Sequence, residues 1–346
     1  MGVVTTQPDY TAQDAATYKA TLDGSIGELD AAASAARGNV VVNGCMRVAQ
    51  RAALALSTSF GFGAVDRWSV AAVGTVGAGS VTQAADSDFV SGYCLHLSGV
   101  TLSGGSEAVS ARTRIEAKDA QGLAGQTGSL RVRIKHDLGA AATATVTINK
   151  ADAADSFGSV TQIAQTTAAI PTGVATDVLI EGQALGACGN GLEVIISLAT
   201  GACTTKKVYI GDVQLEALSW ARGMAIRHLG VELARCLRYF RKSHRTADAP
   251  GAANLYGVVY TLHGGTVYNG SYFHAVNFAV PMRTAPTVTF YDPTSGASGS
   301  WRHGGGSAVV MAAGYVGDSG FICQNNSGAD ISGTSIYGHY TADAEL

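Results

Sequence analysis

The sequence predicts an all-β chain: a jelly-roll-like β-sandwich followed by a second β domain, with a short N-terminal helix and one amphipathic helix linking the two β parts. Three observations lead there. Forty-four glycines against six prolines in 346 residues, with abundant Ala, Thr, Ser and Val, suit many short strands joined by tight turns in which glycine supplies positive φ. From Gly38 onward, apolar and polar residues alternate, the period of half-buried strands. One stretch, VELARCLRYFRKSH (231–244), departs from that period and repeats every three or four residues.

The elements follow in order. Residues 12–36, AQDAATYKATLDGSIGELDAAASAA, place Leu22, Ile26, Leu29 and Ala33 on one stripe, interrupted by Gly24 and Gly27, which predicts a helix that docks on a larger assembly or oligomerises. Strands are expected at SLRVRIKHD (129–137), TATVTINK (143–150), LEVIISLA (192–199) and KKVYIGDVQLEAL (206–218), each bounded by glycine or by Asp, Ser and Thr. In the 231–244 stretch, Leu233, Leu237 and Phe240 continue the spacing of Ile226 and Leu229. Arg235, Arg238, Arg241 and Lys242 gather toward its end, where cations suit the helix dipole. Strand patterns resume with NLYGVVYTL (254–262), YFHAVNFAV (272–280), PTVTFY (286–291), SAVVMAAGYV (307–316) and SGFICQN (319–325). The domain plan is therefore 1–37, an attachment or oligomerisation segment; 38–222, the first module; 223–245, the linking helix; and 246–346, a Tyr- and Gly-rich β domain.

Composition excludes several functions. A net charge of −3 with 14% charged residues gives no basic field to gather nucleic acid. No run of about 18 apolar residues suggests a membrane span, and the opening MGVVTTQPDY lacks the charged and apolar regions of a secretory signal. The six cysteines, Cys45, Cys94, Cys188, Cys203, Cys236 and Cys323, form no CxxC pair and no zinc spacing. Their scatter favours buried thiols; a Cys188–Cys203 bridge is the alternative. No cofactor is indicated.

No G-x-S-x-G elbow, H-E-x-x-H or GxxxxGK[ST] occurs, and HGGG (303–306) without a serine elbow reads as a turn. Asp66, Asp86, Asp88, Asp292 and Asp318 are the loop acids nearest to aromatics and the candidates for paired-carboxylate glycoside cleavage, although turn chemistry accounts for most of them. ADSDF (85–89) could lend oxygens to calcium but lacks the rest of an EF-hand loop. The stripe Arg131, Arg133, Lys135 reads as a solvated strand face.

Residues 239–346 hold nine of the 13 tyrosines, together with Trp301, while carboxylates thin out. Such a surface suits stacking on sugar rings or packing of identical chains. The candidate sugar contacts are aromatic or polar residues expected in exposed loops of the last domain: Tyr272, Tyr291, Trp301 and His303. The last two lie in GSWRHGGGS (299–307), where glycines frame a large indole. Trp68 is expected to be buried.

In order along the chain, NVVVNGCMRVAQR (39–51), DRW (66–68), VQLEAL (213–218), Arg227, ELARCLRYF (232–240), VPMRTAPTVTFY (280–291) and YTADAEL (340–346) resemble the receptor-binding fibre and spike proteins of tailed phages and gene transfer agents. The resemblance spans nearly all of residues 39–346. It implies a carbohydrate-binding, jelly-roll-like module and a second β domain on the outside of a virion-like particle, made in the bacterial cytoplasm and released by lysis. It also implies a homo-oligomer, a trimer ahead of a pentamer, whose residues 1–37 contact other particle proteins. Two places depart from the pattern: Ala49 replaces an aromatic before Gln50–Arg51, and SWARGMAIRH (219–228) replaces a Gly- and Pro-containing loop. The expectation is a non-enzymatic adhesin for cell-surface or capsular polysaccharide. The alternatives are a capsule depolymerase or deacetylase, against which the absence of a 20–30-residue repeat weighs, and a purely architectural decoration or collar protein.

Overall fold

The computed structural model describes residues 38–263, 265–331 and 335–346; the helix expected over residues 12–36 lies outside them. The first unit is one ten-stranded antiparallel sheet. Its strands are β1 (Leu54–Ala55), β2 (Gly61–Phe62), β3 (Ser69–Ala85), β4 (Tyr93–Ile115), β5 (Thr127–His136), β6 (Ala142–Ala153), β7 (Ser156–Ile170), β8 (Thr176–Ala184), β9 (Leu192–Ala199) and β10 (Cys203–Glu216). The order is β7-β6-β9-β4-β10-β5-β8, with β3 beside β4.

Register shows how one sheet becomes a sandwich. The first half of β4 pairs with β10, from Leu95–Ile210 to Leu102–Cys203, whereas its second half pairs with β9, from Ala108–Ala199 to Ile115–Leu192. β3 follows β4 through both halves, with register shifts between Val73 and Ser80. The β3–β4 hairpin therefore belongs to two leaves, and Gly74 (φ 101°) and Gly104 (φ 138°) stand where it passes between them. A Cβ on Gly74 would lie 3.1 Å from the Ser103 carbonyl oxygen, so only glycine suits both the dihedral and the space. Leu130, Val132 and Ile134 of one leaf and Val146, Ile148, Val194 and Ile196 of the other share one core and are fully buried. Full burial of each such side chain is worth about 1.5–3 kcal/mol.

The basic stripe of β5 is not simply solvated. Arg131 and Arg133 bind Asp177, and Lys135 Nζ binds Asp86 and Asp88 at 2.7 and 2.8 Å. The acids considered for calcium are thus engaged by a lysine.

The second unit is an eight-stranded sheet of β11 (Phe240–Lys242), β12 (Val259–Leu262), β13 (Tyr272–Asn277), β14 (Thr287–Tyr291), β15 (Ser300–His303), β16 (Ala308–Gly317), β17 (Gly320–Asn325) and β18 (Ser335–Asp343). Its spine is β18. The first half of that strand pairs with β12 and β15, the second with β11 and β14. Phe290, Trp301, Phe321 and Tyr340 form the centre of its core.

Two expectations need correction. Helix α1 (Leu229–Leu237) ends earlier than the 231–244 pattern implied, because Phe240–Lys242 pair with Thr341–Asp343 instead; the ladder and the burial of Phe240 override local propensity. On the helix itself Glu232 and Cys236 are buried and Leu233 packs partly buried against Val42, Val48 and Tyr239, while Leu229 and Val231 are exposed. Trp301 is no loop aromatic. It is 0% exposed on β15, its Nε1 donates to the His339 carbonyl at 2.7 Å, and its ring meets Phe290 edge-on at 5.4 Å. A Cβ on Gly338 would lie 2.0 Å from the indole Cδ1, so the space for the ring is made by a glycine on the next strand.

All six cysteines are free, which removes the Cys188–Cys203 bridge. Trp68 is buried as expected, its Nε1 donating to the Asn43 carbonyl at 3.1 Å. No helix among the described residues is long and apolar enough to cross a membrane. Replacement Trp301→Ala should destabilise the second unit by about 3–5 kcal/mol, read by denaturant unfolding; an unchanged midpoint would contradict the core assignment.

Candidate functional site: a polar cleft between the two units

The site begins with the seam that holds the units together. Asn43 (φ 56°) donates through Nδ2 to the carbonyls of Val48 and Asp66 at 2.8 and 2.9 Å, and its amide donates to the Glu232 carboxylate. Arg227 reaches the other Glu232 oxygen at 3.1 Å. Arg238 binds Glu116 in a fork, at 2.6 and 3.0 Å, and Tyr239 OH donates to the same carboxylate at 3.1 Å. Burial would raise the Glu116 carboxyl, but the Arg238 fork holds it below the usual carboxylate range. Arg67, buried and at φ 72°, pairs with Glu345 and stacks its guanidinium 3.5 Å from the Tyr239 ring centroid.

Beside this seam opens a cleft of about 680 Å³. One wall is the polar face of β14 and β18. Their antiparallel register sets Thr287 opposite Asp343, Thr289 opposite Thr341 and Tyr291 opposite His339. The intervening residues Val288, Phe290, Tyr340 and Ala342 turn into the core, as a strand's period of two requires. The other wall comes from the first unit, chiefly Arg51, Leu54 and Phe62.

The charges in the cleft compensate one another. Arg51 binds Asp343 at 2.6 Å and Glu345 at 2.9 Å and lies 3.8 Å from the Phe240 ring centroid, while Arg283 donates to the carbonyls of Ala344 and Glu345. What remains for a ligand is a row of hydroxyls, Thr287, Thr289, Thr341 and Tyr291, none hydrogen-bonded through its side chain to another described residue; the Tyr291 ring, edge-on to His244, and the Phe62 ring, with Arg51 over it at 5.2 Å, also line the cleft.

Of the four residues proposed from sequence, Tyr291 alone lines this cleft. Tyr272 lies on β13, its ring against that of Tyr315. His303 ends β15 beside a separate cavity of about 350 Å³ shared with Ser327 and Asp330, and Trp301 is core. Of the loop acids, Asp86 and Asp88 meet at Lys135, away from the cleft, and the other three lie apart. Asp66 is buried against Gln50; Asp292 accepts from the amides of Thr294 and Ser295 and from Arg302; Asp318 is exposed in a turn. Among the described residues no group of three or more His, Cys, Asp or Glu could hold a metal. Thr287, Thr289, Thr341, Asp343 and Arg51 were missed. For the four strand residues the signal is the alternation in PTVTFY and HYTAD, which puts the polar residues of each strand on one of its faces; Arg51 carries no such signal.

No family model and no curated protein matches the chain. Solved structures with partial similarity include a promiscuous carbohydrate-binding module of the β-sandwich superfamily, 14% identical with a TM-score of 0.35, matched over 46% of this chain and 61% of that one. The C-terminal family 22 carbohydrate-binding module of Clostridium thermocellum Xyn10B is 14% identical with a TM-score of 0.31, over 49% of this chain and 98% of that one. The enzymatically active domain of tailspike protein 4 of bacteriophage CBA120 is 16% identical with a TM-score of 0.29, over 43% of this chain and 19% of that one.

Two buried groups near the cleft oppose each other in pH. Burial raises the Asp66 carboxyl to about 6, against the hydrogen bonds from Gln50. Because the folded state then holds a proton that the unfolded chain has lost, the contribution of Asp66 to stability is complete below about pH 4 and disappears as pH rises through 6. Burial lowers His244 to about 4, and that contribution is present above about 6.5 and lost as pH falls through 4. Asp66→Asn should therefore steepen the gain in stability from pH 4 to 6.5, by about 3 kcal/mol at most, in urea titrations across that range. A profile parallel to the parent's would refute the assignment.

Proposed function

We propose that the protein is a non-catalytic adhesin, the external fibre or spike of a phage-like particle or gene transfer agent, which binds cell-surface or capsular polysaccharide in the cleft between its β units. The observation that carries the reading is the row Thr287, Thr289, Thr341 and Tyr291 beside an internally neutralised set of charges. A pyranose presents hydroxyls around its edge and an apolar C–H face; unpartnered hydroxyls and the rings of Tyr291 and Phe62 complement both. The ordered motifs shared with fibre and spike proteins support the placement on a particle, with residues 1–37 as the attachment and lysis as the route outside.

A depolymerase would need a carboxyl free to donate a proton at the sugar. The cleft carboxylates Asp343 and Glu345 are both occupied by Arg51 and Arg67, which favours binding over cleavage. Oligomerisation is part of the proposal. Tyr260 and Leu262 of β12 are exposed, Leu262 by 72%, with Leu255 and Tyr256 nearby in sequence, and identical chains could bury this surface against one another. Several chains per particle would multiply weak single-site binding.

The direct test is binding of the purified chain to isolated bacterial capsular polysaccharides, with reducing ends followed in the same samples. Retention without new reducing ends is expected, and Tyr291→Ala combined with Thr289→Val should weaken it about thirtyfold, since a hydrogen bond and a ring contact are each worth about 1 kcal/mol. New reducing ends would establish a depolymerase; no binding to any capsule would leave the architectural reading. In sedimentation, the parent should run as an oligomer and Leu262→Asp as a smaller species; a monomeric parent would refute the assembly.

A further inference from the structure

A second surface, on the sheet of β13, β17 and β16, is also shaped for a ligand. Its floor consists of short side chains: Ala275 stands opposite Ile322, Asn277 opposite Gly320, and Gly314 opposite Ile322. The Tyr272 ring lies on Gly314, where a Cβ would be 2.0 Å from Cε1 and 2.9 Å from the phenol oxygen. Tyr315 follows in the irregular stretch between Gly314 and Gly317. Its ring centroid is 4.9 Å from that of Tyr272 at an interplanar angle of 53°.

Tyr315 is unusual in two ways at once. Its φ of 49° is a conformation that a bulky residue adopts only at a cost in free energy. Its side chain is 76% exposed, so burial of the ring recovers little of that cost. Folding alone would favour glycine there. A residue that is strained and also exposed is a candidate for function, and its surroundings indicate which.

A depression of about 340 Å³ adjoins Tyr315, lined by Ala275, Ile322 and Gly320 on its apolar side and by Asn277, Asp318 and Ser319 on its polar side. The 318–319 turn is held in place: Met282 N donates to the Asp318 carbonyl and Phe278 N to the Ser319 carbonyl, both at 2.8 Å. The Asp318 carboxylate accepts from Ser319 Oγ at 2.8 Å and is exposed. Aromatic faces beside an amide, a carboxylate and a hydroxyl suit a pyranose, whose C–H face stacks while its hydroxyls find donors and acceptors. No Lys or Arg lines the depression, so its charge is that of Asp318. An acidic sugar would be repelled.

We propose that Tyr272, Tyr315, Asn277 and Asp318 form a second saccharide site, selective for neutral or amino-bearing pyranosides over uronic acids. It rests on the polysaccharide reading above and extends it, because two sites on one chain gain avidity on a long polymer without any new contact.

The test uses the full chain with tyrosine rings carbon-13 labelled, titrated with neutral, amino and uronic-acid pyranose oligosaccharides and followed by NMR, alongside the capsule-retention measurement. Neutral or amino oligosaccharides should shift the Tyr272 and Tyr315 ring signals, also in the cleft variant Tyr291→Ala/Thr289→Val. Tyr315→Gly should weaken oligosaccharide binding about tenfold while keeping or raising the unfolding temperature, which a merely structural tyrosine would not do. Gly314→Ala should also weaken binding, because the new methyl displaces the Tyr272 ring without removing it. If the parent binds saccharide and Tyr315→Gly binds equally well, or if uronic acids bind best, this site is refuted and the cleft reading stands. If the parent binds no saccharide in either assay, both fall together.

Discussion

The two β units are fixed to one another by buried carboxylates held by arginines, and Arg67, itself buried, is where this constraint is tightest. Its guanidinium is 1% exposed, paired with Glu345 and bonded to the Arg114 carbonyl, with the Tyr239 ring against its flat face. Burial lowers its affinity for the proton, yet the fork geometry of arginine lets it serve a carboxylate, a carbonyl and a ring together. Removing one partner of such a set leaves a charge in a dry place, at a cost of about 3–5 kcal/mol. The same logic repeats with Glu116–Arg238 and Glu232–Arg227. The orientation of the two units is thereby restricted to arrangements that satisfy all three carboxylates.

Four separate segments converge on this seam: NVVVNGCMRVAQR (39–51), DRW (66–68), ELARCLRYF (232–240) and YTADAEL (340–346). Asn43 and Arg51 come from the first, Asp66, Arg67 and Trp68 from the second, Glu232, Arg238 and Tyr239 from the helix segment, and Glu345 from the ending. Short, separately weak motifs are what a seam of this kind requires, because each segment supplies one or two polar groups whose partners lie far away in the chain.

Strand positions were legible because one face of each strand must be apolar: SLRVRIKHD, LEVIISLA and PTVTFY all lie in strands. What was not legible depends on distant partners. Phe240–Lys242 look helical until β18, a hundred residues later, offers its edge. Glu232 sits among apolar helix positions as an ordinary polar residue, yet Asn43 and Arg227 make it the buried one. Trp301 is framed by glycines, the usual mark of a loop, but the glycine that matters is Gly338 on β18, which vacates the volume filled by the indole. For the candidate site, the alternation of Thr287, Thr289 and Tyr291 was visible; that Thr341 and Asp343 would extend the same face was not, because register is set by pairing.

The cleft is a consequence of the seam. β14 and β18 would expose their row of threonines to open solvent if the second unit stood alone, and Arg51 would then lack Asp343 and Glu345. By bringing the 51–62 segment against that row, the seam converts a flat polar sheet face into a concavity whose charges are already neutralised. A flat hydroxylated surface has no advantage over water for a sugar, since each hydroxyl exchanges one water partner for another. A walled one limits the water, adds aromatic surface from both units, and holds its donors in place through strands that cannot slide without exposing Phe290 and Tyr340. The rigidity of the joint and the concavity of the cleft are therefore two effects of the same arginine–carboxylate pairs.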